Sequence, residues 1–192
     1  MWRNCVGVAV GVLAVSGCGT SAAIGTSPSA SPFASTSPPV QQTAVEPPRA
    51  ATGGIGSSVR DGELTFMVSA LKSARSVSDG LMKRVPQGLY AGVVVTVTNV
   101  GSDPATFDLS LQRLHSRANK TYAPDALASI VGGKARSAYE TINPGNAETI
   151  ILAFDAPRGT ELTTVELHES HGSLGAYVST PNTLQPPTHV DS

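Results

Sequence analysis

A chain of 192 residues has room for one domain with appendages and little for a second independent core. Its 13 basic and 14 acidic residues leave a formal net charge of −1, so no global field draws nucleic acid, and none is expected as a partner. Charged residues make up only 14% while Gly and Pro number 19 and 14, which argues against a helical bundle and favours turn-rich β structure.

Near the N-terminus Arg3 is followed by an apolar run from Val6 to Val15. A spanning helix needs about 20 apolar residues, so this shorter run is predicted to be a targeting signal. Directly after it, Val15-Ser16-Gly17-Cys18 resembles the lipobox of bacterial lipoproteins: an aliphatic residue, two small ones and a cysteine. That resemblance implies a diacylglycerol thioether on Cys18, cleavage between Gly17 and Cys18, and acylation of the freed amine. Residues 1–17 are then a lipoprotein signal peptide, and the mature chain is held on the extracytoplasmic face of the cell membrane, since two or more acyl chains anchor a protein durably. An ordinary secretory signal cut near Ser21-Ala22-Ala23 is the alternative. The other cysteine, Cys5, lies in the apolar run, so no disulfide framework or thiolate metal site is available downstream.

Residues 18–54 read as a tether rich in Ser, Pro and Ala, with six prolines between Gly19 and Ala51. So little apolar surface cannot offset the entropy of ordering, and disorder is predicted. Glycosylation of its Ser/Thr/Pro run is an open alternative to a bare spacer.

From residue 55 to 180 the pattern becomes that of strands. Leu64, Phe66, Val68 and Ala70 alternate in "ELTFMVSAL", and the β-branched run Val93 to Thr98 ends at a turn, Asn99-Val100-Gly101. "ATFDLSLQRL" is predicted as the third strand of a meander through Phe107, Leu109 and Leu111. Short strands are expected at Tyr122 and at Tyr139 to Ile142. Asn143-Pro144-Gly145 suits a type II turn before Ile150, Leu152 and Phe154. "TTVELHES" and "GAYVST" complete seven or eight strands, which predicts an all-β, immunoglobulin-like antiparallel β-sandwich. Residues 181–192 are expected to form a flexible Pro-rich tail.

The succession "RDGELTFMVSAL", "GVVVTVTNVGSDPATFDLS", "NKTYAPD", "INPGNAETIILAFDAPRG" and "VELHES" resembles a family of uncharacterised bacterial extracellular domains, often lipid-anchored. That family is similar in fold to a small secreted mycobacterial immunogen with an immunoglobulin-like sandwich. The resemblance covers about residues 55–180 and implies fold and location, with no activity to carry over. The lipobox and the Ala-rich, Lys-poor composition suit an actinobacterial source.

Chemistry is sought mainly in "HESHGSLGAY". His171-Gly172-Ser173-Leu174-Gly175 nearly matches the G-x-S-x-G nucleophile elbow, but a histidine holds the first glycine position and no helix follows. His168 and His171 with Glu169 suggest a metal, yet a spacing of three puts them on opposite faces of a strand. His115 and His189 stand too far off for local evidence. No catalytic residue, metal or cofactor is assigned, and the domain is read as a non-catalytic binding module and a monomer. The alternatives are a metal carrier or a hydrolase whose site the sequence does not display. If the first three strands form a meander, Lys72, Arg75, Lys83 and Arg84 gather with Arg113, Arg117 and Lys120 at one basic end. That end would take an anionic envelope polymer or an acidic protein partner.

Overall fold

The computed structural model describes residues 50–133 and 135–187. The signal segment 1–17, Cys18 with its lipobox, the tether as far as residue 49, and His189 lie outside the described residues.

Nine strands form two sheets. One has the order β1 (Ala51–Gly54), β13 (Ala176–Thr183), β12 (Glu161–Leu167), β8 (Arg113–Ser116), β9 (Thr121–Tyr122). The other has the order β11 (Ala147–Ala156), β6 (Leu89–Asn99), β3 (Leu64–Ala74), β2 (Ser58–Asp61). Pairing is antiparallel except between β1 and β13, which run parallel. Two-stranded ribbons are made by β7 (Ala105–Asp108) with β10 (Tyr139–Ile142), and by β4 (Val77–Ser78) with β5 (Lys83–Arg84). The expected all-β sandwich is therefore the architecture found.

The alternation read in the sequence is the alternation of burial. Leu64, Phe66 and Val68 of β3, Val93, Val95 and Val97 of β6, and Ile150, Leu152 and Phe154 of β11 point into one core. There they meet Leu162, Val165 and Leu167 of β12 and Ala176 and Val178 of β13. Each large side chain so buried is worth about 1.5–3 kcal/mol against exposure. The Asn143-Pro144-Gly145 turn has the expected form, with Gly145 at φ 75° and Asn146 N donating to Asn143 O at 3.0 Å.

Four expectations need correction. "ATFDLSLQRL" is not one strand: the Asp108 carboxylate accepts from Ser110 N, winding Leu109–Leu111 into a 3-10 turn that carries the chain to the other sheet. The meander consequently stops at two strands, because β11 takes the free edge of β6 and β7 pairs with β10 alone. Residues 51–54, assigned to the tether, form β1, since β13 offers a free edge whose backbone groups need partners. Residues 181–183, assigned to the tail, continue β13, and Leu184 is wholly buried in the core.

A short helix, α1 (Ala126–Gly132), was also not anticipated. Asp125 caps it by accepting from Ala128 N at 2.9 Å, and Ala128 is buried with Tyr90 and Ala153 on the outer side of the four-stranded sheet.

Candidate functional site

The densest group of polar side chains stands on the outer face of the five-stranded sheet. Leu114, Val165 and Val178 face the core, so their neighbours Arg113, His115, Glu166 and Tyr177 face outward. The register sets Glu166 opposite Arg113 on β8 and opposite Tyr177 on β13, with Thr121 of β9 opposite His115. His168 follows Glu166 by two residues and returns to the same side. Leu111, Arg113, His115, Thr121, Glu166, His168, Ser170 and His171 surround an open depression of about 380 Å³.

Glu166 is its hub. Oε2 accepts from His115 Nε2 at 2.6 Å, and Oε1 accepts from His168 Nε2 at 2.8 Å and from the Tyr177 hydroxyl at 3.0 Å. Burial pushes the Glu166 carboxyl upward, but the bonds from His168, His115 and Tyr177 together hold it below the ordinary glutamate value. The Tyr177 hydroxyl moves the other way, raised by burial and by giving its proton to Glu166 in a hydrogen bond. The two imidazoles approach different oxygens of one carboxylate, and among the described residues no three His, Cys, Asp or Glu side chains are arranged to hold a metal ion.

The loop after β12 holds His168 in place from three sides. Asp61 of β2 accepts Glu169 N at 2.9 Å and Gly175 N at 3.2 Å, closing the loop at both ends. Gln112 accepts His168 N at 2.8 Å and donates to His168 O at 3.1 Å. Gly175, at φ 75°, lies against the imidazole so closely that a Cβ there would stand 2.7 Å from a ring atom.

Ser173 Oγ lies 3.1 Å from His168 Nδ1, completing a hydroxyl–imidazole–carboxylate series. Its geometry is not that of an exposed nucleophile. The hydroxyl donates to Ser170 O at 2.9 Å, the residue is half-buried, and the side chain does not line the depression. The near-match to a nucleophile elbow therefore sits in a turn between two strands and serves to hold His168.

Of the seven cations expected at one end, Arg113 stands apart, and Arg84 and Arg117 are already paired. Lys72 and Arg75 are exposed at and just beyond the end of β3, and Lys83 and Arg84 form β5. Arg84 is paired to Asp125 at 3.2 Å, beside the Tyr90 hydroxyl, which donates to the same carboxylate at 2.9 Å. Burial and the bond to Asp125 push the Tyr90 hydroxyl up to about 12, while Ala128 N, Tyr90 and Arg84 hold Asp125 below its ordinary value against the opposing effect of burial. Arg117 pairs with Glu161 at 2.6 Å, and the Lys120 backbone closes a turn on Ser116. Arg113 lies toward the other end of β8, within the depression.

The sequence carried part of this site openly. Glu166 and His168 are two apart, the spacing that puts both on one face of a strand, whereas the pair weighed in the sequence was His168 with His171. His115 is 51 positions from Glu166 and is brought in by the pairing of β8 with β12, and Asp61, 108 positions from Glu169 and on the other sheet, is brought in by the packing of the two sheets.

The family described as a domain of unknown function (DUF4352) matches residues 53–176. Among curated proteins no sequence match is found. Among solved structures, the secreted protein MPT63 of Mycobacterium tuberculosis aligns with a TM-score of 0.52 at 21% identity, covering 68% of this chain and 98% of that one. The yjhA protein of Bacillus subtilis aligns at 0.46 and 14%, covering 67% and 98%, and a β-sandwich protein of Clostridium difficile 630 at 0.46 and 8%, covering 70% and 97%.

Proposed function

We propose, on the premise that the chain belongs to the DUF4352 family of domains of unknown function, that it is a lipid-anchored, extracytoplasmic binding module without catalytic activity. The anchor is Cys18, read from Val15-Ser16-Gly17-Cys18, and the same residues with the Ala-rich, Lys-poor composition suit an actinobacterial source. The likeness to a secreted mycobacterial protein supports an extracellular setting. Among the described residues no helix is long and apolar enough to cross a membrane.

The observation that carries the binding reading is the open polar depression around Glu166, on a face supported by a closed apolar core. Pre-organised polar groups on a rigid sheet suit recognition, because little ordering entropy remains to be lost on binding. The absence of catalysis is supported by Ser173, whose hydroxyl is bonded within its own turn.

Two measurements on the protein from its native envelope test this reading. Mass spectrometry of the N-terminal peptide is expected to find a diacylglyceryl, N-acylated Cys18; an unmodified Cys18 or a start at Ile24 overturns the anchor. A fluorophosphonate that reacts with activated serines is expected to leave Ser173 unlabelled, and stoichiometric labelling there makes the protein an enzyme.

A further inference from the structure

We infer that the depression on the five-stranded sheet binds the acidic group, carboxylate or phosphate, of a hydroxyl-rich polymer, with Arg113 as its principal contact. This deepens the binding reading above and rests on it.

Glu166 is the acidic side chain among the lining residues, and both its oxygens are already taken, by His115, His168 and Tyr177. Its lone pairs are largely met from within the site, so it presents little acceptor capacity to a ligand. Donors remain. Arg113 spends Nη1 on two carbonyls, Ser110 O at 2.5 Å and Gln112 O at 2.7 Å, and leaves Nη2 and Nε without a partner among the described residues. Those two bonds also fix the plane of the guanidinium, so its remaining edge is offered in one orientation to a planar or tetrahedral anion. His171 is exposed and likewise makes no hydrogen bond among the described residues, and Ser170 adds a hydroxyl at the rim, while the Thr121 hydroxyl is bonded to His115 Nδ1 at 3.2 Å.

A ligand entering this depression must therefore bring acceptors, and next to a guanidinium the best acceptor is an anion. The lining is mostly polar, which disfavours an apolar ligand and suits one whose remaining groups are hydroxyls. This site stands apart from the end expected from sequence, where Arg84 and Arg117 are already paired with Asp125 and Glu161.

The test uses residues 18–192 with Cys18→Ser, titrated calorimetrically with an oligogalacturonate, a glycerol phosphate oligomer and a neutral dextran. The two acidic probes separate a carboxylate source from a phosphate source. Binding of at least one acidic probe, weakened by salt and absent with dextran, is expected. Arg113→Gln should weaken it tenfold or more and His171→Ala severalfold, while Lys83→Glu/Arg84→Glu leaves it unchanged. His171 makes no bond among the described residues, so its variant separates loss of ligand contact from loss of fold. Equal binding of dextran, no binding of either acid, or affinity indifferent to both Arg113 and His171 overturns the inference. Binding abolished only by the Lys83/Arg84 reversal overturns this site but keeps the module a binder.

Discussion

Thr180 is fully buried on β13 and its hydroxyl has no hydrogen-bond partner among the described residues. Valine has the same shape without the polar atom, so Thr180→Val is expected to stabilise the domain by about 1 kcal/mol, read as a melting temperature a few degrees higher. A fall would mean that the hydroxyl is satisfied in solution. Glu166 and Asp125 supply a second expectation at this scale. Both carboxyls are held below their ordinary values, 4.5 and 3.8, in the folded chain. Such groups contribute stability that is complete above the ordinary value and is lost as pH falls through the folded one. The melting temperature should then be flat with respect to these groups at neutral pH and decline below about pH 4. Glu166→Gln should make that acid decline shallower; an unchanged acid limb would show that the bonds from His115, His168 and Tyr177 favour neither charge state. Asn99 shows why a residue can be legible in kind and not in role. It was read as a turn signal, and it is also wholly buried, donating to Asp103 O and Ile142 O at 2.7 and 2.8 Å and accepting from Gly101 N.

Among the elements, the loop between β12 and β13 links the fold to the site. It is clamped to β2 through Asp61, and the imidazole of His168 lies on Gly175. Gly175→Ala combines a positive φ that non-glycine residues resist with a Cβ placed inside van der Waals distance of the ring. A loss of roughly 1–3 kcal/mol is expected, together with displacement of the His168 ring signals in an NMR spectrum. A spectrum in which His168 is unmoved would show that the loop, not the ring, gives way. The long strands β3, β6, β11 and β12 were readable because one face of each is apolar. The helix α1 was not, because its seven residues are too few to establish a period, and it is fixed by the Asp125 cap and by the packing of Ala128 on Tyr90 and Ala153. The break after β7 escaped notice for a related reason: Leu109 and Leu111 keep the alternation of a strand, while Leu109 is buried and Leu111 only partly so within a 3-10 turn.

At the scale of the molecule, β1 covers an edge of the five-stranded sheet that would otherwise present unpaired backbone groups of β13. A chain beginning at residue 55 is therefore expected to melt several degrees below one beginning at residue 50, and to associate at high concentration through the bared β13. Coincident melts, measured side by side at equal concentration, would make β1 an ornament of the edge. What the sequence by itself determined is the all-β class, the strand faces that form the core, the Pro-Gly turn and the lipobox pattern, since each is written in residues that are neighbours or alternate along the chain. What only the tertiary structure decided is which strands share a sheet, that residues 51–54 belong to one, and that Arg113, His115, Glu166, His168 and Tyr177 stand together. The physical reason is that a strand's faces follow from its own period of two, whereas its partners are chosen by backbone groups seeking hydrogen bonds across distances in sequence that no local pattern records.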